Sequence, residues 1–392
     1  MEKNIIPAIC CIGYNRPDSM KRLLDSIAMG VYEDRIIPLV ISIDESDKSN
    51  EVEAVAKEFQ WEYGEKIILR YPQRLGLKEH CMRCGDLSLK YGALIFLEDD
   101  VVVAPGFYKY VKEAVNYYVS DSRILGISLY TQKWVQDMSG EFIPMHNGYD
   151  VFFHQRDISH GQCWMAQGWK KFRQWYEINK DLMPKYDQRV PPCVYSWKEK
   201  SSWSKYMSFF LVEEDMYYAC PYQSLATNLS EIGVHAKRTT NICQVPLSIG
   251  DSGTFRFVPF ERAVVYDAIF ERKDQAFEEM LGESLNEVCI DINGMKYDWT
   301  GYKYLLSSKI LKYEVKKSYG INLEPIEINI KYNKGNKGLY LYEIPEDYKT
   351  PYCIGQYPKV SMIQMRLDLT LDKYPIKNII NNVIGRIWNK LT

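Results

Sequence analysis

The sequence holds no run of about eighteen apolar residues, the length that a bilayer-crossing helix demands, so it offers no membrane span. It has no surplus of one charge either. Across 392 residues, 49 basic and 51 acidic side chains leave a net charge of -2, which argues against nucleic acid as a partner. The opening segment MEKNIIPAICCIGYNRP carries only a brief apolar run, broken by Pro7, with no small-residue cleavage pattern. The expectation is a cytoplasmic protein whose ten cysteines are reduced thiols rather than a disulfide framework. Cys81 and Cys84 form a CxxC after His80, but no second pair follows to complete a zinc site. Glycine is also missing where a dinucleotide cradle would need it. The loop Ile12 to Pro17 has one glycine where that fold uses three, and no Walker lysine motif occurs. Neither an internal repeat nor a low-complexity tract is present.

The chain is rich in aromatic side chains, with 31 tyrosines and 9 tryptophans, which offer flat apolar faces for bases and sugars as well as core filling. Strand and helix patterns alternate four times in the first hundred residues. Ile5 to Ile12, Ile36 to Ile43, Lys66 to Arg70 and Ala93 to Leu97 read as buried strands. Between them, Met20, Leu23, Leu24 and Ile27 recur at helical spacing, and helices are expected near Glu51 to Phe59 and from Leu77 to Tyr91. This alternation is the pattern of a parallel sheet with right-handed crossovers. Beyond about Phe270 the composition turns to Asp, Asn, Lys and Tyr between short apolar runs. The expected division is a domain over 1–270 and a smaller α+β appendage over 271–392.

Chemistry concentrates in GALIFLEDDVVVAPGFYKYVKEA, Gly92 to Ala114, where Glu98, Asp99 and Asp100 follow a buried strand. In an open α/β sheet, the carboxyl ends of the strands are where ligands bind. Adjacent acids there supply hard oxygens for Mg2+ or Mn2+, and such an ion would bridge a diphosphate. A solvated acidic turn would read the same way. A second strand also ends in acids, at Ser42-Ile43-Asp44-Glu45-Ser46-Asp47.

The succession ICCIGYNRP, ISIDESD, RLGLKE and LIFLEDDVVVAPGFYKY resembles the GT-A nucleotide-sugar glycosyltransferases, notably bacterial family 2-like enzymes and the N-acetylglucosaminyltransferase I group. The likeness covers about the first 240 residues. It implies a GT-A fold, Rossmann-like with a mostly parallel sheet flanked by helices, and transfer from a nucleotide sugar, a UDP-sugar by preference, with inversion. It also implies a nucleoside pocket at Tyr14, Asn15 and Arg16, a base or ribose contact at Asp44, ribose contacts at Glu98 and Asp99, and a metal ligand at Asp100. Arg74 suits diphosphate oxygens. SHGQCWMA places Trp164 at the position of an acceptor-side segment, to stack on a sugar or to fill the core, and IGVH aligns His235 with a metal or phosphate cap.

One departure affects the mechanism. Where relatives carry Asp before Ser-Trp, this chain has Ser201 before Ser202-Trp203, and serine alone cannot take a proton from an attacking hydroxyl. Glu199 is the nearest upstream carboxylate and the expected base. Asp187 and the group Glu213 to Asp215 lie further off. Ile376, Ile379, Ile380, Val383, Ile384, Ile387, Trp388 and Leu391 mark one face of a C-terminal helix over 374–392. That face suits docking on the core, a homodimer, or an anionic membrane carrying a lipid-linked glycan acceptor. The expected activity is glycosyl transfer in bacterial polysaccharide or glycoconjugate synthesis. Its rivals are a sugar nucleotidyltransferase, which would want a basic glycine-rich loop, and a glycan-binding module that kept the fold without the base.

Overall fold

The computed structural model describes residues 4–135, 137, 140–182, 186–232, 240–250 and 253–350. The chain forms two compact units, Met1–Trp134 with Phe142–Glu279, and Val135–Glu141 with Met280–Thr392.

In the first unit, β1 (Ala8–Gly13), β2 (Leu39–Ile43), β3 (Lys66–Arg70) and β4 (Ala93–Glu98) are joined by α1 (Pro17–Ala28), α2 (Ser49–Glu58) and α3 (Leu77–Tyr91). Three of these strands are apolar and buried on both faces, as an interior position in a parallel sheet requires. α1 is one-sided: Met20, Leu23, Leu24 and Ile27 are buried, while Asp18, Lys21 and Asp25 face water. Pro17 occupies its first turn, where no amide hydrogen is needed. The expected strand from Ile36 starts only at Leu39, because Pro38 has no N–H to give the ladder.

β4 is followed by the short strand β5 (Val101–Val103), α4 (Phe107–Tyr118) and β6 (Ile124–Ser128). The nine-stranded sheet runs Val265–Tyr266, Val151–His154, Tyr217–Pro221, β6, Gln162–Met165, β4, β1, β2, β3. β1 is parallel to both β2 and β4, with Ile12 opposite Glu98. Gln162–Met165 runs antiparallel between β4 and β6, so the sheet is mixed but mostly parallel. It leads directly into α5 (Ala166–Asn179). β5 pairs separately with Ala226–Asn228, which brings that segment beside the end of β4.

The second unit is built on a four-stranded sheet in the order Val288–Asp291, Tyr304–Ser307, Leu339–Glu343, Glu314–Tyr319. Its buried charge is paired: Lys309 Nζ lies 2.6 Å from Asp291 Oδ2, which also accepts from Ser307 Oγ at 3.0 Å. A buried cation needs such a partner to persist.

Gly126 lets β6 and Gln162–Met165 lie close, since a Cβ there would stand 2.1 Å from the Cys163 carbonyl oxygen. Backbone cannot swing aside as a side chain can. Gly126→Ala is therefore expected to lower stability by about 1–3 kcal/mol, the scale of overpacking. Urea denaturation reads this directly, and an unchanged midpoint would show that the two strands separate freely.

Candidate active site

β1 leads outward to β2, and the chain returns through β3 to β4, so the strand order reverses between β1 and β4. The crevice at their carboxyl ends is the place where an open α/β sheet receives a ligand. Arg16 stands on one side of it, just past β1, and Asp99 and Asp100 on the other, just past β4. The Arg16 guanidinium spans the gap. Its Nε donates to Asp99 Oδ2 at 3.2 Å, its Nη2 to Asp99 Oδ1, and its Nη1 to Asp100 Oδ2 at 3.2 Å. Asp100 Oδ1 in turn accepts from Asn228 Nδ2 at 2.9 Å, and the Asp100 carbonyl from Leu229 N at 3.0 Å. Asn228, which begins a glycosylation sequon in the sequence, is thus buried against the acid cluster.

A single guanidinium does not neutralise this cluster. Burial raises the Asp99 carboxyl to about 6 even with Arg16 pulling it down. Glu98 is pushed well above the usual carboxylate range, by burial first and then by the charges of Asp100 and Asp99. The crevice is short of positive charge, and a cationic ligand would relieve it.

The neighbouring loops are tied to one another. Asp44 is buried, and its carboxylate faces the chain's own amides: Oδ1 accepts from Glu45 N at 2.9 Å and Leu75 N at 2.7 Å, and Oδ2 from Gly76 N at 3.0 Å. Gly76 has φ of 83°, a conformation that favours glycine. Ser46 Oγ donates to the Tyr14 carbonyl at 2.7 Å, joining the loops after β1 and β2. Arg74 is exposed, with its guanidinium carbon 5.0 Å from the centroid of the Tyr14 ring. Tyr14, Asn15, Arg16, Asp44, Arg74, Glu98, Asp99 and Asp100 are therefore all carried at the carboxyl ends of β1 to β4 or on the loops that follow.

Two residues expected on an acceptor side are placed differently. Trp164, placed by the sequence either to stack on a sugar or to fill the core, does the second and is wholly buried: its indole Nε1 donates to Tyr218 Oη at 3.0 Å and Gln162 Oε1 at 3.1 Å, and its ring packs on Phe96, Trp169 and Trp203. It is a core residue because its strand lies inside the sheet, covered on that face by α3, α5 and the helix Trp203–Glu213. Glu199 is exposed and ion-paired with Lys205 at 3.5 Å. Among the described residues, no hydrogen bond or ion pair joins it to Glu98–Asp100. His235 and the helix over 374–392 lie outside the described residues.

Sequence reasoning missed Asp157 and Ser204. Asp157 is buried in the segment linking Val151–His154 to Gln162–Met165, and its Oδ2 accepts from Ser204 Oγ at the start of the helix Trp203–Glu213. Tyr218 Oη lies 3.5 Å from its Oδ1. Burial raises Asp157 to about 7, opposed by Ser204, Gln162 and Tyr218. An isolated Asp inside HQRDISHG carries no local signal; only the meeting of three distant segments makes it notable.

Among the described residues, no three His, Cys, Asp or Glu side chains are gathered as metal ligands. A small divalent ion that works on phosphates does not need three. Such an ion is held by one or two carboxylates, substrate phosphates and water. Asp99 and Asp100 already converge on one cation, Arg16, so the donor set fits.

No family model matches the chain, and no curated protein matches it. Similar solved structures include the mannosyltransferase PcManGT from Pyrobaculum calidifontis in complex with GDP-Man and Mn2+, at 12% identity over 44% of this chain and 46% of that one, with a TM-score of 0.30. GalNAc-T7 with UDP, GalNAc and Mn2+ matches at 11% identity over 56% and 43%, with a TM-score of 0.38. S. aureus TarS 1-349 matches at 10% identity over 56% and 59%, with a TM-score of 0.35. The chain spans between two fifths and three fifths of the length of these three.

The raised carboxyl of Asp157 has a consequence for stability. Unfolded, an aspartate titrates near 4; folded, this one titrates at about 7. The folded state binds more protons between those values, so this group's contribution is fullest below about pH 4 and is lost as pH rises through about 7. Asp157→Asn removes that loss. Thermal melts at about pH 5 and 8 should show the wild type falling relative to the variant as pH rises. A constant difference would mean an ordinary carboxyl.

Proposed function

We propose that the chain is a divalent-metal-dependent glycosyltransferase of the GT-A type, which moves a sugar from a nucleoside diphosphate sugar to a glycan acceptor. The observation that carries this reading is Arg16 facing Asp99 and Asp100 across the β1/β4 crevice. A diphosphate needs cations on both sides, and a guanidinium beside paired carboxylates that hold a metal supplies them. In this reading residues 1–270 are the catalytic domain and 271–392 an appendage.

Tyr14, Asn15 and Arg74 border the nucleoside. Asp44 acts on it through the loop it anchors, with one acceptor position left on Oδ2. Glu98 and Asp99 face the ribose. Asp100 is the protein's metal ligand, joined by His235 from the sequence resemblance. When bound, Mn2+ or Mg2+ offsets charge on the departing diphosphate. Arg16 then exchanges Asp100 for diphosphate oxygens while keeping Asp99, and it stabilises the same leaving group. A UDP-sugar donor, inversion, a bacterial glycoconjugate setting in the cytoplasm and a lipid-linked acceptor reached through the tail at 374–392 complete the proposal on the strength of the resemblance.

The test is incubation with a panel of UDP- and GDP-sugars, Mn2+ and simple alkyl glycosides. Nucleoside diphosphate release is the expected result. Pyrophosphate would identify a nucleotidyltransferase, and no turnover would favour a binding module.

Asp100→Ala should lower turnover by about a hundredfold or more, the scale of losing a group that holds transition-state charge. It should also cost a little stability, since Arg16 and Asn228 lose a partner. Undiminished Mn2+-dependent release in that variant would remove Asp100 from the site.

A further inference from the structure

The reaction proposed above needs an acceptor for the proton of the attacking hydroxyl, and Ser201, before Ser202-Trp203, stands where a carboxylate is expected. The helix Trp203–Glu213 begins there. Ser202 caps it, accepting from Lys205 N at 3.1 Å. Ser204 lies in its first turn, only partly buried, and donates its hydroxyl hydrogen to Asp157 Oδ2 behind it. Asp157 itself is 4% exposed and out of reach of an acceptor sugar. The pair is a partly buried hydroxyl backed by a carboxylate in the interior.

Several features set this pair apart from a structural hydrogen bond. The carboxylate lies beside the first turn of an eleven-residue helix, whose free amides favour negative charge. Its charge also adds to the pressure on Glu98 at the end of β4. Trp203, between Ser202 and Ser204, packs edge-on against Phe96, two residues before Glu98. Glu199, by contrast, is on the surface and held by Lys205.

Resting on the glycosyltransferase reading, we infer that Ser204 and Asp157 form a proton relay for the acceptor. The acceptor O–H gives its proton to Ser204 Oγ while Ser204 gives its own to Asp157 Oδ2. The acceptor oxygen bonds to the anomeric carbon as that carbon's bond to the diphosphate oxygen breaks, and the electron pair leaves with the nucleoside diphosphate. Ser204 is the group that touches substrate; Asp157 acts through it. The titratable and charged groups facing Asp157 are Arg156 from its own segment, Glu98 at the end of β4, Cys81 on α3 and Tyr218 on the strand Tyr217–Pro221. Burial raises the carboxyl to about 7, outweighing the hydrogen bonds from Ser204, Gln162 and Tyr218 and the charge of Arg156 that pull it down, which suits a group that must accept and then release a proton.

The experiment compares wild type, Ser204→Ala, Ser204→Thr and Asp157→Asn with UDP-sugars, Mn2+ and alkyl glycoside acceptors. Ser204→Ala should lower acceptor-dependent turnover by about a hundredfold or more, the scale of a lost general base. Its calorimetric affinity for UDP should stay within about twofold, and Ser204→Thr should restore most of the rate. Wild-type turnover should rise with pH through about 7 as Asp157 ionises, and that limb should be absent from the residual rate of Ser204→Ala. Asp157→Asn should match Ser204→Ala in turnover and in UDP affinity. A wild-type rate in Ser204→Ala, or a loss seen only as weaker UDP binding, overturns the relay and returns the proton to Glu199. Failure of the wild type to release nucleoside diphosphate from any donor overturns the glycosyltransferase reading, and the relay with it.

Discussion

Three adjacent carboxylates at one strand end, two of them held by a single guanidinium, set the terms for the structure around them. Glu98, Asp99 and Asp100 repel one another, and burial makes the charges of Glu98 and Asp99 more costly. Arg16 offsets part of that cost and also connects the loop after β1 to the loop after β4. Asn228 adds a third element from the far side, brought in by the pairing of Ala226–Asn228 with β5. The crevice is therefore closed by the charges that a substrate would have to separate. A ligand carrying both a metal and a diphosphate can do this without leaving a bare charge, because it brings a cation for the acids and an anion for the arginine.

The early part of the fold was legible because local and global signals agree there. β3 and α3 have the bounds that their apolar and helical patterns predict, and β4 extends one residue further, into Glu98. The acids at strand ends were visible for the same reason: strand direction in a parallel sheet follows from alternation with helices, and it puts each strand's last residue at one edge. Which face a tryptophan presents was not legible. Trp164 follows a run of polar and small residues, Ser159 to Cys163, but its strand is antiparallel to β4 and β6 and interior to the sheet.

The inferred acceptor side was obscure for a further reason. Its chemistry is divided between segments that lie 47 residues apart, Asp157 and Ser204. Neither carries a motif, and neither repeats at a spacing tied to secondary structure. Asp44 shows the complementary limit. Its position at a strand end was evident, but its three backbone partners were not, since a carboxylate that receives amides from a loop 31 residues away looks in sequence like one waiting for a ligand.

The aromatic wall of Phe96, Trp164, Trp169 and Trp203 is a single packed body, with ring centroids 4.4 to 6.0 Å apart. One end belongs to β4, two residues from the acid cluster, and another to the first turn of the helix that carries Ser204. In the proposed reading the donor and acceptor sides are thus mortared into the same wall, and interiors this dense pass displacement on rather than absorbing it. A change of volume at any of these rings therefore reaches the acid cluster and the Ser204–Asp157 pair together.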